Sequence, residues 1–259
     1  MKYKITAFFI LLLNFSAFST VIVQNGLTHV HTVSQNGTTE ATVVLKNIGT
    51  KNEQVKVYFY DLKTECNGAV VYKEPSSQPR SLNPYLKVSN NNYTLSPGEE
   101  YELVYQINLS NNTLSGTLWS IMMIEVLEPF SKSTKSGGVE IGSKIRYGVQ
   151  LIANVGESDT KSFAFTDVKL STDISGSKVI EASFENNGDY LVLPVVNIQL
   201  FDMDGSMIKD ILVPTKKVYP QSCQIFQLSI DDVQPGKYQA VLLAEYEEET
   251  IGINIELEL

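Results

Sequence analysis

The sequence is poor in the residues that most catalytic and metal sites need. It has two histidines, two cysteines and one tryptophan in 259 residues. It has no G-x-S-x-G, HExxH or P-loop motif and no glycine-rich βα turn. Catalysis therefore lacks its usual groups. We predict a protein that is not an enzyme and that carries no metal and no cofactor.

The two histidines, His29 and His31, leave one alternative open. A His-x-His pair on a β-strand puts both imidazoles on one face, where they could bind a metal. No third ligand is visible in the neighbouring sequence. The other interpretation, two ordinary strand side chains, agrees with the prediction of no metal site.

The two cysteines also leave two interpretations. Cys66 and Cys223 lie in different halves of the chain, so a disulfide between them would have to cross any boundary between domains. Alternatively, they are two buried thiols that behave as small hydrophobic side chains.

Long apolar runs are absent apart from residues 5–13, which are too short for a membrane span of about 20 residues. Lys2 and Lys4 precede this run, and Ala17 and Ser19 are small residues at the positions that a signal peptidase reads. We predict a signal peptide over residues 1–19 and no membrane span. The mature chain would then be periplasmic or, alternatively, extracellular or on the cell surface.

Excess positive charge is absent as well, since the formal net charge is -9. An acidic chain lacks the excess of basic residues that attracts the phosphates of nucleic acid, so we predict no nucleic-acid partner.

Helical periodicity is the last absence. Almost every periodic segment alternates apolar and polar residues with period two, and Gly, Asn, Pro and Ser clusters separate these segments. This pattern predicts an all-β protein with two immunoglobulin-like β-sandwich domains, over residues 20–155 and 160–259. The predicted strands are 42–47, 55–60, 70–73, 101–108, 118–126, 139–151, 165–170, 179–184, 191–201, 207–213, 223–230, 238–246 and 251–257.

The segment 139–151, VEIGSKIRYGVQL, is the most informative. Its apolar residues share one parity, and charged or polar residues take most of the positions between them. Strands usually have about 5 to 6 residues. The greater length of this one indicates that it does something besides completing its own sheet. The apolar residues of that parity are Val139, Ile141, Ile145, Tyr147, Val149 and Leu151.

The order of these parts resembles the periplasmic chaperones of chaperone/usher pilus systems. The matching strings are LSPGEE at 95–100, SGTLWSIMMIEVLEP at 115–129 and VEIGSKIRYGVQL at 139–151. The second half agrees in fold class, with PTKKVYPQSCQIFQL at 214–228 placed like the family's proline-containing turn and strand.

The resemblance implies a site on the long strand. Val139, Ile141, Ile145 and Tyr147 would fill the groove of an incomplete immunoglobulin-like subunit, and backbone pairing would add affinity. The family anchors the subunit's C-terminal carboxylate with two basic residues in the cleft between domains. Arg146 or Lys144 matches the one on the long strand.

The second basic residue of the family is an Arg on the first strand. Here His31 stands closest to that position. A neutral imidazole is a weaker partner for a carboxylate than a guanidinium.

Two functions follow as predictions. The first is a periplasmic chaperone that binds exported β-rich, pilus-like subunits by donating a strand, with an outer-membrane usher as a further partner. The alternative is a secreted or surface immunoglobulin-like interaction or adhesion protein that donates no strand. In that case 139–151 is the last strand of its own sheet.

Overall fold

The computed structural model describes residues 20–110, 114–127, 144–156 and 162–259. These residues are almost entirely β-strands, and the one helical turn among them is a 3₁₀ helix at Asn83–Tyr85. In the first half the strands are β1 Val21–Val23, β2 Thr28–Val33, β3 Thr38–Asn47, β4 Glu53–Thr64, β5 Val70–Lys73, β6 Leu86–Val88, β7 Asn92–Leu95, β8 Glu100–Asn108, β9 Gly116–Leu127 and β10 Ile145–Val155. In the second half they are β11 Phe163–Thr172, β12 Lys178–Asn186, β13 Val195–Phe201, β14 Met207–Val213, β15 Ser222–Ser229, β16 Lys237–Tyr246 and β17 Glu249–Glu258.

Two pairs of sheets form from these strands. In the first half, β1-β3-β8-β6 faces β2-β10-β9-β4-β5, with β7 also pairing with β4. In the second half, β11-β12-β15 faces β14-β13-β16-β17. Apolar side chains of alternating parity fill one core in each pair. The predicted fold class, two immunoglobulin-like β-sandwiches, is confirmed.

Several predicted bounds need correction. The short strands β1, β6 and β7 are absent from the predicted strands, because three or four residues are too few to show an alternation of apolar and polar side chains. The strand predicted over 191–201 begins at Val195, after Pro194, which has no N–H to donate to a ladder. The long strand continues past residue 151 to Val155.

Other predicted bounds lie outside the described residues. Residues 139–143 of the long strand and the predicted signal peptide are among these. So are residues 157–161, and the division into 20–155 and 160–259 stays a prediction.

A disulfide between Cys66 and Cys223 links the two halves. Cys66 lies in the turn between β4 and β5, and Cys223 lies on β15. The Cys66 carbonyl oxygen also accepts a hydrogen bond from the Ile225 N–H at 2.7 Å. Of the two interpretations of the cysteines, the structure thus supports the one that crosses between the sandwiches.

Backbone contacts hold the second sandwich against the start of β9. The Thr117 N–H donates to the Asp189 carbonyl oxygen at 2.8 Å, and the Leu191 N–H donates to Thr117 Oγ1 at 2.8 Å. Arg80 forms an ion pair with Asp189 across the same interface. Gly116, with φ of +100°, lets the two backbones approach, because a Cβ there would fall against the Asp189 carbonyl oxygen.

We expect Gly116→Ala to destabilise the protein more than Gly98→Ala does. Both glycines have positive φ, which costs an L-residue roughly 1–2 kcal/mol. A Cβ at Gly98 would meet nothing within 4 Å, whereas one at Gly116 would meet the backbone of the second sandwich. Urea denaturation of the two variants separates the cost of the clash at Gly116 from the cost of a positive φ, which both variants share. If the two variants lose equal unfolding free energy, the close contact between Gly116 and the backbone of Asp189 does not contribute to stability.

Candidate partner-binding site

Strand β10 carries the predicted site residues that the structure describes. Ile145 and Tyr147 point to the inner face and pack, partly buried, against the first core. The Tyr147 hydroxyl donates to the Val21 carbonyl oxygen at 2.6 Å. The predicted alternation is therefore present, but these two side chains contact their own sandwich. Val139 and Ile141 lie outside the described residues.

The pairing of β10 is unequal along its length. Strand β9 pairs antiparallel with β10 from Ile145 to Val155, whereas β2 pairs parallel with it only from Gln150 to Val155. The Gln150 N–H points toward β2 and donates to the Leu27 carbonyl oxygen at 2.8 Å. Backbone groups alternate in direction along a strand, so those of Gly148 and Arg146 point the same way. Strand β2 does not reach them, and within the described ranges no other strand pairs with them on that side.

This stretch is the open edge of β10, residues 145–149. An unpaired sheet edge is a template on which another chain can add a strand. In the sequence, residues 139–143 come just before this edge.

On the outer face of the same sheet, Glu125 collects three donors. It lies directly opposite Arg146 in the β9–β10 register. Arg146 Nε is 2.9 Å from Glu125 Oε2, and Lys144 Nζ is 3.1 Å from Glu125 Oε1. The Tyr58 hydroxyl donates to Oε2 at 2.8 Å. We call Tyr58, Glu125, Lys144 and Arg146 the Glu125 cluster.

The electrostatics of the Glu125 cluster favour the charged carboxylate. Desolvation by burial would raise the pKa of Glu125, but the hydrogen bonds from Tyr58, Lys144 and Arg146 outweigh it and leave the pKa below its ordinary value. The Glu125 side chain is 8% exposed, whereas those of Arg146 and Lys144 are 50% and 61% exposed. Two cations thus share one buried carboxylate, and the cations remain open to solvent.

His31 lies on the other face of the sheet. Its side chain points inward, where Nε2 is 2.7 Å from the hydroxyl of Tyr105 on β8. Burial, and to a lesser extent His29, lowers its pKa. Arg146 points outward, so the two side chains are separated by the sheet. Sequence distance alone did not fix the parity of His31, and this geometry gives no support to the predicted pairing of His31 with Arg146 on one carboxylate.

The structure adds one cation that sequence reasoning missed. Lys217 comes from the second sandwich, and its Nζ donates to Gln150 Oε1 at 2.5 Å and to Thr28 Oγ1 at 3.0 Å. Burial lowers the pKa of Lys217. The only signal in the sequence was the Lys216-Lys217 pair, and nothing local indicates that the second lysine reaches β10.

An apolar surface separates the Glu125 cluster from the second sandwich. Trp119, Ile121 and Met123 of β9 are buried on the outer face of the sheet together with Tyr219 and Leu191. The Trp119 and Tyr219 rings lie 4.6 Å apart between centroids. Toward the Glu125 cluster the same surface continues as Tyr58 and Tyr60, which contact each other edge-on.

The described residues contain neither a metal-binding cluster of His, Cys, Asp or Glu side chains nor a membrane-spanning helix. No group of three or more His, Cys, Asp or Glu side chains in these ranges is placed to hold a metal ion. No helix in the same ranges is long and apolar enough to cross a membrane.

Comparisons with known proteins identify the fold. No protein-family model and no curated protein matches the sequence. A chain from the chaperone–tip adhesin complex of CFA/I fimbriae biogenesis aligns with a TM-score of 0.52 at 12% identity, over 92% of this chain and 98% of that one. The class 5 fimbriae chaperone CfaA aligns with a TM-score of 0.50 at 12% identity, over 91% and 98%.

At this identity the likeness concerns the fold. It confirms the resemblance to fimbrial chaperones at that level and over both sandwiches.

We expect Glu125 to give the protein an acid-sensitive contribution to stability. Because the pKa of Glu125 is lowered in the folded state, the unfolded state binds more protons between the two pKa values. The contribution should be complete above the unfolded value of about 4.3 and should fall as the pH drops through the folded pKa. Urea denaturation between pH 3 and 7 should give a steeper loss for wild type than for Glu125→Gln. Parallel pH profiles would contradict this account.

Proposed function

We propose that this chain is a periplasmic chaperone that binds exported, β-rich subunits by strand donation. The open edge of β10 is the observation that carries the proposal. The likeness of both sandwiches to fimbrial chaperones supports it. The proposal includes export through the predicted signal peptide, residues 1–19, and an outer-membrane usher as a second partner.

Strand donation needs free backbone groups and alternate side chains. The backbone of Arg146 and Gly148 supplies the first along the described part of β10. Ile145 and Tyr147 already pack on the home core, so the side chains that enter the subunit's groove are chiefly those before them, Val139 and Ile141. The subunit would then lengthen the sheet at the point where β2 stops.

The Glu125 cluster supports a carboxylate anchor beside that edge. Arg146 and Lys144 bind a carboxylate within their own chain, and their combined charge exceeds that of Glu125 by one. Both cations are at least half exposed. The C-terminal carboxylate of a subunit would neutralise the remaining charge while Glu125 holds the two cations in position.

One observation favours the alternative function. Ile145 and Tyr147 contribute to the first core, as they would in a secreted or surface interaction protein that uses this strand for its own sheet. The two functions differ in residues 139–143, which such a protein would not insert into a partner.

We expect Ile141→Asp to abolish capture of an immunoglobulin-like subunit that lacks one strand. A charge at this parity would have to enter an apolar groove. Gly142→Asp is the matched control, since it adds the same charge at the neighbouring position of opposite parity. Co-purification after co-expression in a bacterial periplasm, with thermal unfolding of each free variant, measures the effect. If both variants capture the subunit like wild type, strand donation fails.

We expect Arg146→Ala to weaken subunit binding roughly ten- to hundredfold. A charge-assisted hydrogen bond contributes about 1.5–3 kcal/mol, and each factor of ten corresponds to about 1.4 kcal/mol. Arg146→Lys should recover part of the loss, because its ammonium keeps the charge and loses the fork geometry.

A subunit with an amidated C-terminus provides the control for this prediction. It should bind wild type and Arg146→Ala with equal affinity, measured by isothermal titration calorimetry. If amidation leaves the affinity of wild type unchanged, Arg146 does not bind the carboxylate, although the strand could still be donated.

A further inference from the structure

The only two histidines of the chain converge on one buried tyrosine. His29 Nδ1 lies 3.0 Å from the Tyr105 hydroxyl oxygen, and His31 Nε2 lies 2.7 Å from the same atom. The histidines come from β2 and the tyrosine from β8, so this group joins the two facing sheets. The proposed chaperone function uses none of these three side chains.

The hydrogen bonds fix which nitrogen of His29 can bind a further group. His29 Nε2 lies 3.3 Å from the Gly26 carbonyl oxygen, which can only accept a hydrogen bond. This bond therefore requires a proton on Nε2, and in the tautomer that carries its single proton there, Nδ1 has a lone pair directed at Tyr105. A backbone carbonyl that holds one ring nitrogen in this way is the usual outer-shell partner of a histidine that ligates a metal.

The hydroxyl of Tyr105 has one proton to share between two imidazoles. It donates to His29 Nδ1, so its oxygen must accept the N–H of His31 Nε2. Tyr105 is 1% exposed, and its burial raises the pKa of the phenol. The two histidines are only partly buried, which leaves the group accessible from solvent.

The two separations from the Tyr105 hydroxyl oxygen suit a tetrahedral ion. Zinc lies about 2.0–2.1 Å from nitrogen and oxygen ligands, so two ligands of a tetrahedral zinc are about 3.3 Å apart. The contacts of 3.0 and 2.7 Å would have to open by only about half an ångström on average to admit the ion. Imidazole nitrogens favour zinc, copper and nickel over magnesium or calcium.

We propose that His29 Nδ1, His31 Nε2 and Tyr105 Oη form a binding site for a divalent transition metal of the zinc class. On binding, the proton of His31 moves from Nε2 to Nδ1, and the phenol of Tyr105 releases its proton to solvent. Water completes the fourth position. The third ligand, Tyr105, lies 74 residues from His31 in the sequence. The residues next to the histidines therefore could not reveal it.

Metal titration of the mature chain, without an affinity tag, tests the site. We expect one Zn²⁺ per chain by isothermal titration calorimetry, and a visible absorption band when Co²⁺ replaces it. Tyr105→Phe keeps the buried ring and removes only the hydroxyl oxygen. It should weaken Zn²⁺ binding by at least about tenfold. Loss of an outer-shell partner already lowers metal affinity by about 10- to 100-fold, and Tyr105 is a direct ligand in this proposal.

Tyr101→Phe is the matched control. It lies on the same strand as Tyr105, packs against Tyr93 and should bind Zn²⁺ like wild type. His31→Gln should weaken binding as Tyr105→Phe does, and circular dichroism establishes that each variant is folded. Absence of Zn²⁺ binding by wild type would overturn the proposal and leave a hydrogen-bonded cluster. Equal affinity of Tyr105→Phe and wild type would overturn it as well.

Discussion

The burial of β9 on both faces is the constraint on which the rest of the structure depends. Every residue from Gly116 to Val126 is buried. The inner face packs into the first core, and the outer face is covered in part by the second sandwich through Tyr219 and Leu191. An antiparallel sheet can leave one face in water, but a strand that is apolar on both faces cannot. The arrangement of the two sandwiches therefore follows from the composition of one strand, and the Cys66–Cys223 disulfide adds a covalent link to it.

Two buried carboxylates beside β9 are stabilised in different ways. Asp61 is fully buried, and its hydrogen-bond donors are neutral. These donors fold the segment after β5 onto the sheet, which makes Asp61 a structural residue. Glu125 is held by two cations whose side chains are at least half exposed. The donors to Asp61 are the backbone N–H groups of Ser77 and Gln78 and the side chains of Ser77, Ser81, Asn83 and Ser120.

The sequence was sufficient where local periodicity determines structure. Alternation predicted that Ile145 and Tyr147 share the apolar face and that Arg146 lies on the polar face, since the parity of a strand needs no tertiary information. It could not predict that Glu125 would face Arg146, because the register between β9 and β10 depends on packing. The same limit applies to the side of the sheet on which His31 lies. Lys217 reaches Gln150 only because the second sandwich docks on β9, which no local pattern contains.

The open edge of β10 is a consequence of how the first strand is divided. Strand β1 pairs with β3 in one sheet, and β2 pairs with β10 in the other, so the chain crosses between the sheets near Gly26. Because the crossing delays β2 until Thr28, it leaves residues 145–149 without that neighbour. Natural sheets protect such edges with charged side chains, lysine above all. The side chains of Lys144 and Arg146 lie beside this edge on the outer face of the sheet, where both bind Glu125. Positive charge of this kind beside an open edge discourages pairing with a second copy of the chain.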